Sequence, residues 1–147
     1  MSASELLNLF LDAPTAENFK NIKDNPWMLT RAFQKNEELA KKYFKFEEWL
    51  KVHDRLVDLT EDEKSKVKDL LKSSVSSFPE AIKYYHTLNY EDRTAWQKDF
   101  ISRATTVKDC QYAMSLVNKE HREEIVKKMR RIAITDEDKK IAYSYVI

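Results

Sequence analysis

A chain of 147 residues with a net charge of +1 is long enough to bury one core without disulfides or metals. It carries no bulk electrostatic pull toward nucleic acid or an anionic membrane. It also contains no glycine, where average usage of about 7% would give roughly ten, and this argues against β-hairpins, Rossmann turns, P-loops and nucleophile elbows, which need glycine at fixed places.

Taken in chain order, Ser2 and Glu5 form a capping-box pair that predicts a short helix through about Leu11. Pro14 and Thr15 open a second short helix over 16–22. Asn25 followed by Pro26 is a cap and first-turn pair, predicting one longer helix to about Phe44. Its apolar stripe is Leu29, Ala32, Phe33, Leu39, Ala40 and Tyr43.

From Phe46 onward the chain repeats with a period of 29. Ser77, Thr106 and Thr135 stand one period apart, each followed three residues later by an acid: Glu80, Asp109 and Asp138. Thr60, Asn89 and Asn118 make a second series, with Glu63 and Asp92 at the third position and His121 breaking the pattern. Side-chain oxygens at such places satisfy the unpaired N–H groups of a helix start, so six starts are predicted.

The apolar positions follow the same period. Trp49, Phe78 and Val107 correspond, as do Val52, Ala81 and Cys110. Leu56, Tyr85, Met114 and Tyr143 form a column, then Leu59, Leu88, Val117 and Val146, while Tyr84, Ala113 and Ala142 share a position. In the second helix of each pair Val67, Trp96 and Ile125 match, as do Leu71, Phe100 and Met129. Offsets of this kind describe one helical face. Lys64, Arg93 and Arg122 share a position expected to face solvent.

The predicted fold is all-α: antiparallel helix pairs stacked as a short α-solenoid-like repeat over 46–147, behind an N-terminal helical cap over 1–45. About ten helices make one domain. A single helix pair cannot bury its apolar face alone, so neighbours must share a core.

The last motif, Ile141, Ala142, Tyr143, Ser144, Tyr145, Val146 and Ile147, with Tyr112 to Val117 as a weaker echo, resembles the short helix-pair repeats of tailed-phage proteins. That resemblance covers 46–147. It implies a phage or mobile-element origin, with the host cytoplasm as the place of action, and supplies no active-site residues.

The candidate chemistry is sparse. His53, His86 and His121 fall at different repeat positions and form no metal-ligand spacing, so no metal or other cofactor is expected. Cys110 occupies an inward column and reads as a small buried hydrophobe. One cysteine cannot make an internal disulfide, the first residues lack the basic stretch of a signal peptide, and no run approaches 18 apolar residues. A cytoplasmic protein that does not span a membrane is expected.

Glu120, Glu123 and Glu124 are expected to be solvated, with Glu123 and Glu124 each four residues ahead of a lysine. The run Lys127, Lys128, Arg130 and Arg131, with Lys139 and Lys140 further on, is the densest cluster of positive charge and a candidate phosphate contact. Trp27, beside a helix start, is a candidate contact residue. Tyr143 and Tyr145 lie on the last helix, where they would either meet a partner or, for Tyr145, fold back on the preceding hairpin. These features predict a non-enzymatic protein-binding module. The alternatives are nucleic-acid binding through 127–140 and self-assembly through the C-terminal helix.

Overall fold

A computed structural model describes residues 1–146 and all their side chains except that of Leu56. The Leu56 place in the repeat column and Ile147 in the last motif lie outside the described residues. Among those described there are eleven α-helices and no strand. None adopts a positive φ, so the absence of glycine costs the fold nothing. The chain divides into two compact units, Met1–Val75 and Ser76–Ile147.

The first unit holds α1 (Ala3–Asp12), α2 (Ala16–Lys20), α3 (Pro26–Lys35), α4 (Glu37–Tyr43), α5 (Phe46–His53) and α6 (Glu61–Ser73). The caps at Ser2, Thr15, Asn25 and Thr60 all form, each side-chain oxygen accepting from the N–H three residues on. The single long helix expected after Asn25 is instead two. At Asn36 the backbone leaves helical geometry, ending α3, and the Asn36 side chain accepts from Leu39 N–H at 3.2 Å to start α4. Asparagine offers the backbone this local alternative to a continuing helix. The break raises the helix count from ten to eleven.

The core of this unit is aromatic. Phe10 meets Tyr43 edge-on at 5.1 Å, and Trp49 sits 4.9 Å from Phe44 and 5.6 Å from Phe33. Lys66 of α6 reaches Glu37 of α4 at 3.2 Å and, as its hydrogen-bond donor, holds that carboxyl below its ordinary pKa. The first repeat pair, α5 and α6, thus belongs with the N-terminal helices. Its first helix starts early: one period before Ser77 stands Glu48, but α5 begins at Phe46, with Glu48 accepting from Lys45 N–H at 2.9 Å. The core columns keep their register nonetheless, since Trp49 and Val52 are both buried.

The second unit holds α7 (Phe78–Thr87), α8 (Tyr90–Ser102), α9 (Val107–Leu116), α10 (Arg122–Ile132) and α11 (Asp136–Tyr143). Helix α7 packs on α8, α8 on α9, α9 on α10, and α11 on both α9 and α10. Ser77, Asn89, Thr106 and Thr135 cap as expected. Glu80 and Asp109 reach one residue beyond the cap, to the N–H groups of Ser76 and Thr105.

Asn118 is the exception. Its side chain makes no cap bond; a 3₁₀ turn over Lys119–His121 follows, and α10 starts only at Arg122. The Asn118 N–H instead donates to the buried Gln97 Oε1 at 3.3 Å. Gln97 also contacts the Tyr85 hydroxyl, which donates to the Leu116 carbonyl at 3.1 Å. A buried polar network of this kind ties α7, α8 and the end of α9 together.

The columns of the second helices are buried throughout: Val67, Trp96, Ile125, Leu71, Phe100 and Met129. Those of the first helices are buried at Trp49, Phe78, Val107, Val52, Ala81, Cys110 and Tyr85 but only half-buried at Leu88, Met114 and Val117, and in α11 Tyr143 and Val146 are 63% and 85% exposed. The Lys64, Arg93 and Arg122 position is not simply solvent-facing. Arg93 is half-buried, donates to the carbonyls of Tyr85 and His86, and lies over the Tyr85 ring.

Candidate binding surface

Helix α10 carries the basic run, and its geometry assigns each cation a different task. Lys127 is exposed and pairs with Glu123 at 3.0 Å, as the four-residue spacing predicts. Lys128 does not pair with Glu124. Its ammonium donates to the carbonyls of Ile101 at 2.8 Å and Ser102 at 3.1 Å, closing the C-terminus of α8. Unsatisfied carbonyls and the negative end of the helix dipole both favour a cation there.

Arg130 donates to the Tyr145 carbonyl at 2.6 Å and lies 4.8 Å from the Tyr143 ring centre. Arg131 is exposed. Glu124, freed from Lys128, faces His121 at 3.6 Å, and Glu120 lies 3.8 Å from the same imidazole.

Beside α10 runs an open groove of about 660 Å³, walled by Ile101 and Ser102 at the end of α8 and by Glu120, Glu123, Glu124, Lys127, Lys128 and Arg131. Its charge is ordered: Glu120 of the 3₁₀ turn and Glu123 and Glu124 of the first turn of α10 line one end, and three cations line the second half of α10. The three carboxylates are exposed, as the sequence reading expects; their sharing one groove wall with the end of α8 is what the sequence does not show. The four-residue spacing points to ion pairs within the helix, whereas the groove depends on the end of α8, eighteen or more residues earlier.

Lys139 and Lys140 are exposed on α11 and do not line the groove. Tyr145 folds back: its hydroxyl accepts from Gln111 at 3.2 Å and its ring lies 5.5 Å from the Arg122 guanidinium. Tyr143 stays exposed. Trp27 is half-buried in α3 of the first unit, with the Arg31 guanidinium 6.0 Å from its ring.

No family model, curated protein or solved structure matches this chain. The surface must therefore be read from its own chemistry. Among the described residues no group of three or more His, Cys, Asp or Glu side chains is placed to hold a metal ion. Burial pushes the Cys110 thiol above its ordinary pKa, which disfavours the nucleophilic thiolate. No helix among the described residues is long and apolar enough to cross a membrane.

Proposed function

We propose that this chain is a non-enzymatic protein-binding module whose working face is the groove along α10. The observation that carries the reading is the order of charge in that groove, with carboxylates at one end and cations at the other. A partner surface with its own charges in the reverse order satisfies both ends and is fixed in orientation by them. A polyanion meets attraction at Lys127 and Arg131 but repulsion at Glu120, Glu123 and Glu124. Two of the four cations in the run are moreover committed to carbonyls of the fold itself.

The groove is preformed, because Lys128 pins α10 to the end of α8. Little ordering entropy is therefore lost on binding. The module would act by occlusion, covering the partner surface it docks on.

The test is a nuclease-treated capture of tagged protein, with mass spectrometry, using wild type, the double variant Glu120→Lys/Glu124→Lys, and Arg131→Glu. The reading expects one nuclease-resistant protein that both variants lose. A titration with a short duplex DNA decides the nucleic-acid alternative. Tight binding that weakens steeply with salt, is lost in Arg131→Glu and is strengthened in the double variant would put a nucleic acid in the groove instead.

A further inference from the structure

The last helix has two unlike sides. Ala142 is fully buried, and Asp138, Ile141 and Tyr145 are half-buried on the same side, toward α9 and α10. On the opposite side Asp136, Lys140 and Tyr143 follow at spacings of four and three, one stripe of a helix, and all are exposed. Ile134, just ahead of the helix, is 83% exposed.

The repeat identifies what that outer side does elsewhere in the second unit. Asp136 and Tyr143 occupy the columns of Phe78 and Tyr85. In α7 those two rings stack on Phe100 of the following helix at 5.2 and 4.8 Å. The stripe is thus the face on which a helix docks, and among the described residues none covers it on α11. Tyr143 touches α10 only through the Arg130 guanidinium, 4.8 Å from its ring centre, and stays 63% exposed.

With the exposed Ile134 ahead of the helix, the order along the chain is apolar, acidic, basic, apolar: Ile134, Asp136, Lys140, Tyr143. Reversed, the same order pairs each group with its complement. Neither Asp136 nor Lys140 has an ion-pair partner among the described residues, so both charges are available.

We propose that the outer stripe of α11 docks antiparallel on the same stripe of a second copy of this chain. A two-fold axis crossing α11 near Asp138 sets Asp136 against the partner's Lys140 and Ile134 against the partner's Tyr143, each contact occurring twice. Such an interface is isologous and closes at two subunits. A single eight-residue helix buries far less than the ~800 Å² per partner of a standard interface, so the dimer is weak and reversible. This surface is independent of the α10 groove, which none of its four residues lines.

The experiment is sedimentation equilibrium of the whole chain up to about 1 mM, the range of a weak complex. Wild type should rise from monomer toward twice the monomer mass and no further. Asp136→Lys places two cations face to face and Lys140→Asp two carboxylates; each variant alone should remain monomeric. Mixed in equal amounts they restore both pairs, and the mixture should regain the dimer. Far-ultraviolet circular dichroism should be unchanged, because both positions are exposed.

A wild type that stays monomeric throughout overturns the proposal, as does open-ended growth beyond the dimer. So do single variants that associate like wild type, or a mixture that stays monomeric while wild type pairs. Should a single variant lose helical signal, Lys140→Ala and Tyr143→Ala replace it: the proposal requires both to weaken the dimer, and wild-type association in either overturns it.

Discussion

At the scale of single residues, two side chains have measurable consequences. His53, the last residue of α5, has a half-buried ring whose Nδ1 is buried without a hydrogen-bond partner, 3.9 Å from the nearest Asp54 oxygen. Burial pulls its pKa below the ordinary histidine value; Asp54 opposes that shift and Lys68 adds to it. On acidification the unfolded chain therefore takes up a proton before the folded one does. The stabilisation is complete above the unfolded pKa of about 6.5 and is lost as the pH falls from there toward the folded value. The melting temperature should drop between about pH 7 and pH 5.5, and less so in His53→Leu; equal drops in the two proteins would refute this account.

Trp96 tests the repeat register. It is 6% exposed, with its ring 4.8 Å from Tyr84 and 5.8 Å from Phe100. Trp96→Ala should cost about 3–5 kcal/mol in denaturant unfolding, the usual cost of deleting a large buried aromatic. An unchanged midpoint would mean that the column does not lie in the core.

At the scale of elements, the helix ends explain more than the helix middles. Five of the six predicted cap positions act as caps, because an oxygen at the cap and an N–H three residues on interact whatever the rest of the chain does. Asn118 makes no side-chain cap bond; a 3₁₀ turn follows it, and its backbone N–H donates to Gln97, twenty-one residues earlier. Lys128 is the reverse case, a residue read as a surface cation that serves as the C-terminal cap of another helix. Lys128→Met keeps the aliphatic stem and removes the cation, leaving the Ile101 and Ser102 carbonyls without it. That should cost roughly 1–2 kcal/mol by chemical denaturation, within the range for lost charge-assisted bonds. A neutral result would show that water replaces the ammonium without loss.

At the scale of the whole molecule, the compact units do not follow the repeat. A 29-residue period starting at Phe46 suggests a division between cap and array, yet α5 and α6 pack with the N-terminal helices and the units divide after Val75. The aromatic contacts of Trp49 with Phe33 and Phe44 are the reason: a repeat-column residue is buried by side chains outside the repeat. The second unit ends differently. In α11 the columns of Val107 and Cys110 hold Asp136 and Lys139, which suit an exposed edge, while Tyr143 and Val146 keep the apolar character that earlier pairs cover. That half-polar edge distinguishes α11 from a helix made only to end a stack.

The sequence alone determined the helical class, the period, five of the caps and the inward columns of the second helices. Each depends on residues within about four positions or on the spacing of apolar side chains, and both can be read along a line. Only the tertiary structure decided which cations of the basic run remain on the surface. Lys128 and Arg130 are consumed by carbonyls twenty-seven and fifteen residues away. The break at Asn36 and the exposure of Tyr143 were likewise open until the fold was known. A local hydrogen bond had to be weighed against helix continuation in the first case. In the second, burial required a covering helix, and a side chain's own apolarity cannot supply one.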